Sequence, residues 1–299
     1  MIEVLLDNNA LEFICLRTRF DKYLSAIERL HGQKLLRVHF NIITFLEQIS
    51  GITPISFPKA QEYMIKASKL CNSSILLPMK DHVKTCIVQY SEDELRKADS
   101  LWRERLIRLC RAASYDILSA DLESLRSDIH DEIYEFYMGS IRIKEACKEF
   151  RIKVKSAGMI PCFSREDKGF EVFRQFIFDH WIQGFGLNEI ARNTPGIILN
   201  QRLKPLQYLT DAYIYYNQLL YGNYNPKQSD KYDLLYLLYL NICDYLITRD
   251  SKFRSIMDNC GNDELRGRSI TPEAFLKMLD KDEIRLAKRA PDPVGEIRI

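Results

Sequence analysis

Long apolar stretches and an export signal are missing from this sequence. A membrane-spanning helix needs about 18 consecutive apolar residues. The apolar run from Leu234 to Ile242 is shorter than that and is interrupted by tyrosine and asparagine. The N-terminus has no basic segment ahead of an apolar one, so it does not resemble a signal peptide. The sequence therefore predicts a cytoplasmic protein with no membrane partner.

Cysteine motifs, nucleotide-binding loops and a strong net charge are missing as well. The 8 cysteines are scattered, with no CxxC pair and no zinc-ligand spacing, which favours reduced thiols. No Walker-type loop or GxGxxG motif is present, and the 5 histidines form no pattern with a Ser or Cys nucleophile. The formal charge of +2 gives no global field, so any nucleic-acid surface must be a local patch.

Apolar segments with the patterns of strands and helices alternate at the two ends of the chain. Residues 2–6 have the composition of a buried strand, and a helix is predicted over about 10–30. Residues 55–220 are almost entirely helical in pattern. Further on, a helix over about 230–242, apolar nearly all round, precedes a strand over 243–248. Strands separated by helices predict an α/β sandwich with a parallel sheet.

Four carboxylates stand where these apolar elements begin or end. Asp7 closes the first strand, and Asp250 follows the strand over 243–248. Because the carboxyl ends of parallel strands share one edge, these two should lie together. Asp233 stands in the first turn of a buried helix, and Glu47 near the end of an apolar helix. The alternative interpretation is that each Asp is only a turn former or a helix N-cap.

A convergence of carboxylates would suit one kind of chemistry. Phosphodiester hydrolysis needs a hard divalent cation that stabilises charge on phosphoryl oxygens. Mg²⁺ and Mn²⁺ prefer oxygen ligands, so a set of carboxylates without His or Cys is the expected site. Asp244, at the start of the predicted strand, is interpreted as structural.

The start of the chain resembles the opening of the PIN-domain nuclease family. Residues 2–15 (IEVLLDNNALEFIC) are similar to that family's apolar strand, closing Asp, Asn and helix. Asp7 matches the first acidic position, and Asn9 matches the accompanying Asn. Glu47, in the context NIITFLEQISGI, fits the second acidic position.

The C-terminal third resembles the closing motifs of the same family. Residues 230–253 contain an Asp that opens a helix, a buried strand and a Thr-x-Asp corner followed by Phe. Asp233, Thr248, Asp250 and Phe253 take those positions. Residues 268–276 are similar to the family's last strand and helix, with Thr271 and Pro272 as the helix start.

The resemblance implies a PIN-like parallel-sheet sandwich with a large all-helical insertion. Residues 1–55 and 205–289 would form the PIN-like domain, residues 56–204 the insertion and residues 290–299 a tail. Compact PIN domains are far shorter than this chain, and the insertion has no counterpart in them.

The resemblance also implies a metal-dependent endoribonuclease that leaves 5′-phosphate and 3′-hydroxyl ends. The ligands of one or two Mg²⁺ or Mn²⁺ ions would be Asp7, Glu47, Asp233 and Asp250. Asn9 and Thr248 would support them. Enzymes of this type act as toxins, defence effectors or RNA-processing factors. Two alternatives stay open: a catalytically inactive scaffold that binds a partner, and a flap-type nuclease that acts on DNA. An acidic residue at all four positions argues against the inactive scaffold.

The predicted insertion contains a basic stretch that is a candidate for phosphate contacts. Its nucleic-acid-binding residues would be Arg142, Lys144, Lys148 and Arg151. The alternative is a solvated helix face. The size of the insertion also suggests a surface for a regulatory protein partner.

Overall fold

A four-stranded parallel sheet organises the part of the chain that the computed structural model describes, which comprises residues 1–17, 19–41, 44, 52–70, 76–87, 92–125, 127, 168–219 and 233–281. The strands are β1 (Ile2–Leu6), β2 (Leu36–His39), β3 (Tyr245–Ile247) and β4 (Ser269–Ile270). Their order across the sheet is β2-β1-β3-β4, and each neighbouring pair is parallel. The predicted α/β class with a parallel sheet is therefore confirmed.

Helices account for most of the remaining described residues. Their bounds are α1 (Asn8–Arg17), α2 (Phe20–Gly32), α3 (Phe57–Leu70), α4 (Met79–Ile87), α5 (Glu92–Cys110), α6 (Lys168–Gly184), α7 (Asn188–Asn193), α8 (Gly196–Arg202), α9 (Lys204–Leu219), α10 (Ser251–Asn259) and α11 (Pro272–Asp280). Residues 115–125 are also helical, and residues 233–235 lead into a 3₁₀ turn at Tyr236–Tyr239. Among the described helices, none is long and apolar enough to cross a membrane.

The sheet has helices on both faces because its crossovers run in opposite directions. From β1 the chain moves to β2 on one side, whereas β3 leads to β4 on the other. Right-handed crossovers then place α1 and α2 on one face and α10 on the opposite face. The helix contacts agree, since α11 packs on α1 and α2 while α9 packs on α10.

The core lies on both sides of the central strand β1. Val4, Leu5 and Leu6 are all buried, which is typical of a parallel strand covered on both faces. The segment from Leu234 to Leu240 is buried throughout, as its apolar composition predicts. Of the cysteines, the described ones are free: Cys15, Cys86, Cys110, Cys243 and Cys260.

Several element boundaries differ from the sequence prediction. The helix predicted over 10–30 is two helices, because α1 ends at Arg17 and α2 begins at Phe20. Of the helix predicted over 230–242, the described residues 233–242 form a short helical turn followed by 3₁₀ structure. The strand β2 was not predicted, because it has only four residues and runs directly into the apolar stretch around Glu47 that was interpreted as a helix.

Candidate active site

The carboxyl edge of the sheet opens between β1 and β3. These strands are neighbours, and the chain leaves them for opposite sides of the sheet. Such a switch point forms a crevice in which α/β proteins bind ligands. Leu6 pairs with Ile247, so the next residues along the two strands are Asp7 and Thr248. The structure thus brings Asp7 and the Thr248–Asp250 corner to one place.

Asp7 is a buried carboxylate at the junction of β1 and α1. Its Oδ1 accepts the backbone N–H of Ala10 at 2.6 Å, so it serves as an N-cap of α1. Only 4% of the residue is exposed. Burial, with a smaller contribution from the charge of Asp250, raises the pKa of Asp7 to about 6. Hydrogen bonds from Thr248, Ala10 and Asn9 act in the opposite direction.

Thr248 lies between the two aspartates at the end of β3. It is fully buried, and its side chain hydrogen-bonds to Asp7. The same hydroxyl accepts the backbone N–H of Asp250 at 3.0 Å. An ionised carboxylate can only accept hydrogen bonds, so the single hydroxyl proton of Thr248 is donated to Asp7. Thr248 therefore orients the carboxylate of Asp7 and fixes the corner that carries Asp250.

Asp250 caps α10 on the other face of the sheet. Its Oδ1 accepts the backbone N–H of Phe253 at 2.9 Å. The residue is half-buried, which leaves it open to the crevice. The charge of Asp250 is one of the smaller causes of the raised pKa of Asp7.

Asp233 is half-buried at the start of a short helical segment whose following residues are fully buried. Tyr236 stands three positions later, so the two side chains share a face of that segment. The hydroxyl of Tyr236 is 3.0 Å from Oγ1 of Thr44, which in turn donates to the carbonyl of Leu6 at 3.3 Å. A chain of two hydrogen bonds therefore joins the face that carries Asp233 to the residue immediately before Asp7.

Asn41 and Thr44 belong to the same edge and were not recognised from the sequence. Leu5 pairs with His39, so continuing this register places Asn41 beside Asp7. Asn41 Oδ1 accepts the backbone N–H of Thr44 at 2.9 Å, as an N-cap does. Its Nδ2 is buried and has no hydrogen-bond partner in the described part of the chain. The spacing of an Asn three positions before a Thr, directly after a strand, was the available signal.

A cleft of about 250 Å³ is lined by residues that lie close to the aspartates in the sequence. It is lined by Asn9, Glu12, Phe13 and Arg249. Asn9 is exposed, two positions after Asp7, and Arg249 stands between Thr248 and Asp250. The guanidinium of Arg249 lies 4.7 Å from the centre of the Phe13 ring and 3.3 Å from Glu273. The cleft therefore combines a cation with an aromatic ring, and its residues Asn9 and Arg249 are sequence neighbours of the two aspartates.

The donor set suits a hard divalent cation. Asp7, Asp250 and Thr248 present oxygen atoms, and Mg²⁺ is commonly held by one or two carboxylates together with water and substrate phosphates. Within the described residues no cluster of three or more His, Cys, Asp or Glu side chains could hold a metal ion, so Asp233 is not grouped with Asp7 and Asp250 there and its role as a ligand stays a prediction. Glu47 lies outside the described residues, so its place in the site stays a prediction.

The predicted nucleic-acid-binding residues Arg142, Lys144, Lys148 and Arg151 also lie outside the described residues. Comparison with known proteins adds no family: no family model, curated protein or solved structure matches the chain.

Proposed function

We propose that this chain is a metal-dependent endoribonuclease that hydrolyses phosphodiester bonds at the Asp7–Asp250 crevice. The observation that carries the proposal is the position of two aspartates at the ends of neighbouring parallel strands, where the Thr248 hydroxyl bonds to the carboxylate of Asp7 and to the backbone N–H of Asp250. Each has a capping role, yet a buried aspartate with a pKa near 6 opposes folding at neutral pH. Neutral N-caps such as Asn and Ser perform as well as Asp. A functional use of the negative charge explains its presence better than capping does.

Asp7 and Asp250 would hold Mg²⁺ or Mn²⁺, with Asp233 and Glu47 completing the ligand set. When bound, such an ion stabilises charge on the phosphoryl oxygens and lowers the pKa of water. Thr248 would keep the Asp7 carboxylate in one orientation by donating to it. Arg249, at the mouth of the cleft, would contact a substrate phosphate as a planar cation.

The PIN-like character of the fold belongs to this proposal as well. One support is the match of four residues to the family's motifs: Asp7, Asp233, Thr248 and Asp250. The other is that Asp7, Thr248 and Asp250 follow the ends of neighbouring parallel strands. A toxin or defence role, and a regulatory protein partner for the helical region, are parts of the same hypothesis.

The direct test is incubation of the purified chain with end-labelled single-stranded RNA, single-stranded DNA and a DNA flap substrate. Each reaction is run with Mn²⁺ and with EDTA. We expect Mn²⁺-dependent cleavage of RNA that leaves 5′-phosphate ends. Cleavage of the flap substrate alone would make the protein a DNA nuclease. No cleavage of any substrate would contradict the proposal.

A non-catalytic interaction protein is the second candidate, and one observation favours it. Both Asp7 and Asp250 accept backbone N–H groups of a first helical turn, so each has a structural use without any metal. This candidate expects Asp7→Asn and Asp250→Asn to leave every measured activity unchanged.

A further inference from the structure

A second cavity continues the cleft along the surface between α1, α2 and α11. It has a volume of about 560 Å³ and shares Phe13 with the cleft beside Asp7. Glu273, the ion-pair partner of Arg249, lies in its wall. We call the two cavities together the α1–α11 groove. Its inner end is lined by Asn9 and Arg249, which are sequence neighbours of Asp7 and Asp250, and its outer end reaches the C-terminal turn of α11.

The groove carries four cationic side chains and three anionic ones. The cations are Arg19, Lys22, Lys277 and Arg249, and the anions are Glu12, Glu273 and Asp280. Two of the cations form exposed ion pairs. Nζ of Lys22 lies 2.5 Å from Oδ1 of Asp280, and Nε of Arg249 lies 3.3 Å from Oε1 of Glu273. Such exposed pairs are weak and are readily exchanged for other partners.

Arg19 and Lys277 have no ion-pair partner within the described residues that line the groove. Both are exposed, and Arg19 stands at the start of α2 while Lys277 lies in the last turn of α11. They therefore leave two positive charges in the groove, one at the start of α2 and one on α11, for an anionic ligand. A linear polyanion would satisfy both.

Aromatic rings alternate with these charges. Phe13 and Tyr23 are half-buried, so each presents part of its ring to the groove. Arg249 lies 4.7 Å from the centre of the Phe13 ring, and Lys22 lies 5.0 Å from that of Tyr23. Proteins that bind single-stranded nucleic acids combine cations along a groove with aromatic surfaces on which unpaired bases stack.

We infer that the α1–α11 groove binds a single-stranded polynucleotide and leads it to the carboxylates. The backbone phosphates contact Arg19, Lys277 and Arg249, and bases stack on Phe13 and Tyr23. A duplex has no unpaired bases to offer these rings. The direction toward Asp7 and Asp250 rests on the proposed nuclease function, whereas the binding itself does not.

The test measures binding by fluorescence anisotropy in EDTA, so that no strand is cut. The probes are labelled single strands of about 12 nucleotides, one of RNA and one of DNA, and the corresponding duplex. Arg19→Glu/Lys277→Glu is compared with Lys59→Glu/Arg192→Glu, which changes the net charge equally at exposed positions that do not line the groove. Melting curves check that both double variants fold.

We expect the groove variant to bind the single strand at least tenfold more weakly, and the control to bind like the wild type. Each lost phosphate contact lowers the slope of log affinity against log salt by about 0.7 for single strands, so two lost contacts lower it by about 1.4. Tyr23→Leu should weaken binding with the slope unchanged, because stacking carries no counterion release. The duplex should bind more weakly than either single strand, and the two single strands show whether ribose is required.

An equal loss of affinity in the control variant, or none in the groove variant, would overturn the inference. A loss confined to Lys148→Glu/Arg151→Glu would place the binding surface on the basic stretch of the predicted insertion instead. The same proteins are then assayed with Mn²⁺. Groove-dependent binding without cleavage would leave the groove standing and refute the nuclease. Cleavage at the wild-type rate in the groove variant would support the nuclease function and refute the role of the groove.

Discussion

The hydroxyl of Thr248 joins Asp7 to Asp250. It donates to the carboxylate of Asp7 and accepts the backbone N–H of Asp250 at 3.0 Å. The two aspartates cap helices that leave the sheet on opposite faces. The crevice between them is therefore fixed by the sheet itself, and small changes at Thr248 should affect both carboxylates.

Removing the Asp7 charge should stabilise the metal-free protein at neutral pH. Burial raises the pKa of Asp7 from 3.8 to about 6, so the folded state binds a proton more tightly than the unfolded state. Stability then falls as pH rises from about 4 to about 6, by up to roughly 3 kcal/mol. Asp7→Asn in EDTA should melt several degrees higher at pH 7.5 and equally at pH 4. Asp263→Asn, at an 85% exposed side chain, is the matched control. An unchanged melting temperature at pH 7.5 would show that Asp7 bears no such cost.

Thr248→Val should separate orientation from mere packing. The substitution keeps the shape but leaves Asp7 without a donor and the N–H of Asp250 without an acceptor, which costs about 1–3 kcal/mol. Since the lost hydrogen bond lowers the pKa of Asp7, that pKa should rise, and the acid limb of cleavage should move to higher pH. Thr248→Ser retains the hydroxyl and should restore the wild-type limb. Identical limbs in the Val and Ser variants would exclude a positioning role.

Asn41→Ser should reveal whether the buried amide takes part in the site. Serine caps a helix as well as asparagine, so the bond to Thr44 is retained while the unpartnered Nδ2 is removed. We expect the melting temperature to hold or rise, and the single-turnover cleavage rate to fall at least about tenfold. A wild-type rate would assign Asn41 to helix capping alone.

Asp233→Asn tests whether the third aspartate shares the metal. Two carboxylates about 4 Å apart repel each other by about 1 to 4 kcal/mol. If Asp233 shares the metal with the other aspartates, removing its charge relieves this repulsion, and the variant should melt higher than the wild type in EDTA. Its further stabilisation by Mn²⁺ should be smaller, because a charged ligand is lost. The measurement is four melts, each protein with EDTA and with Mn²⁺. An equal response to Mn²⁺ in both proteins would remove Asp233 from the site.

The sequence predicts those site residues that directly follow a strand better than those that depend on contacts between distant elements. Asp7 and Asp250 were placed correctly on one edge because each follows a short apolar strand, and parallel strands align their carboxyl ends. Thr271 and Pro272 likewise predicted the start of α11, where Thr271 Oγ1 accepts the N–H of Ala274 at 3.1 Å. Local signals of this kind need no knowledge of distant residues.

Contacts between distant residues could not be predicted. The bond between Thr44 and Tyr236 joins positions 192 residues apart, and no periodicity encodes it. The position of Asn41 beside Asp7 depends on the register of β2, a four-residue strand that runs directly into the apolar stretch around Glu47. The break between α1 and α2 was missed because apolar spacing continues across it.

We propose that the carboxylate of Asp250, at the carboxyl edge of β3, binds the metal ion required for cleavage. One matched pair of variants tests this role directly. Asp244 precedes the same strand at its opposite end, where Oδ2 accepts the N–H of Glu3 at 2.7 Å. Asn replaces Asp as an acceptor at either position, so Asp250→Asn and Asp244→Asn should both fold. The measurement is the single-turnover rate of cleavage of labelled single-stranded RNA as a function of Mn²⁺ concentration. The account predicts a fall of at least about 100-fold in Asp250→Asn and a wild-type rate in Asp244→Asn. Equal rates in the two variants would contradict it.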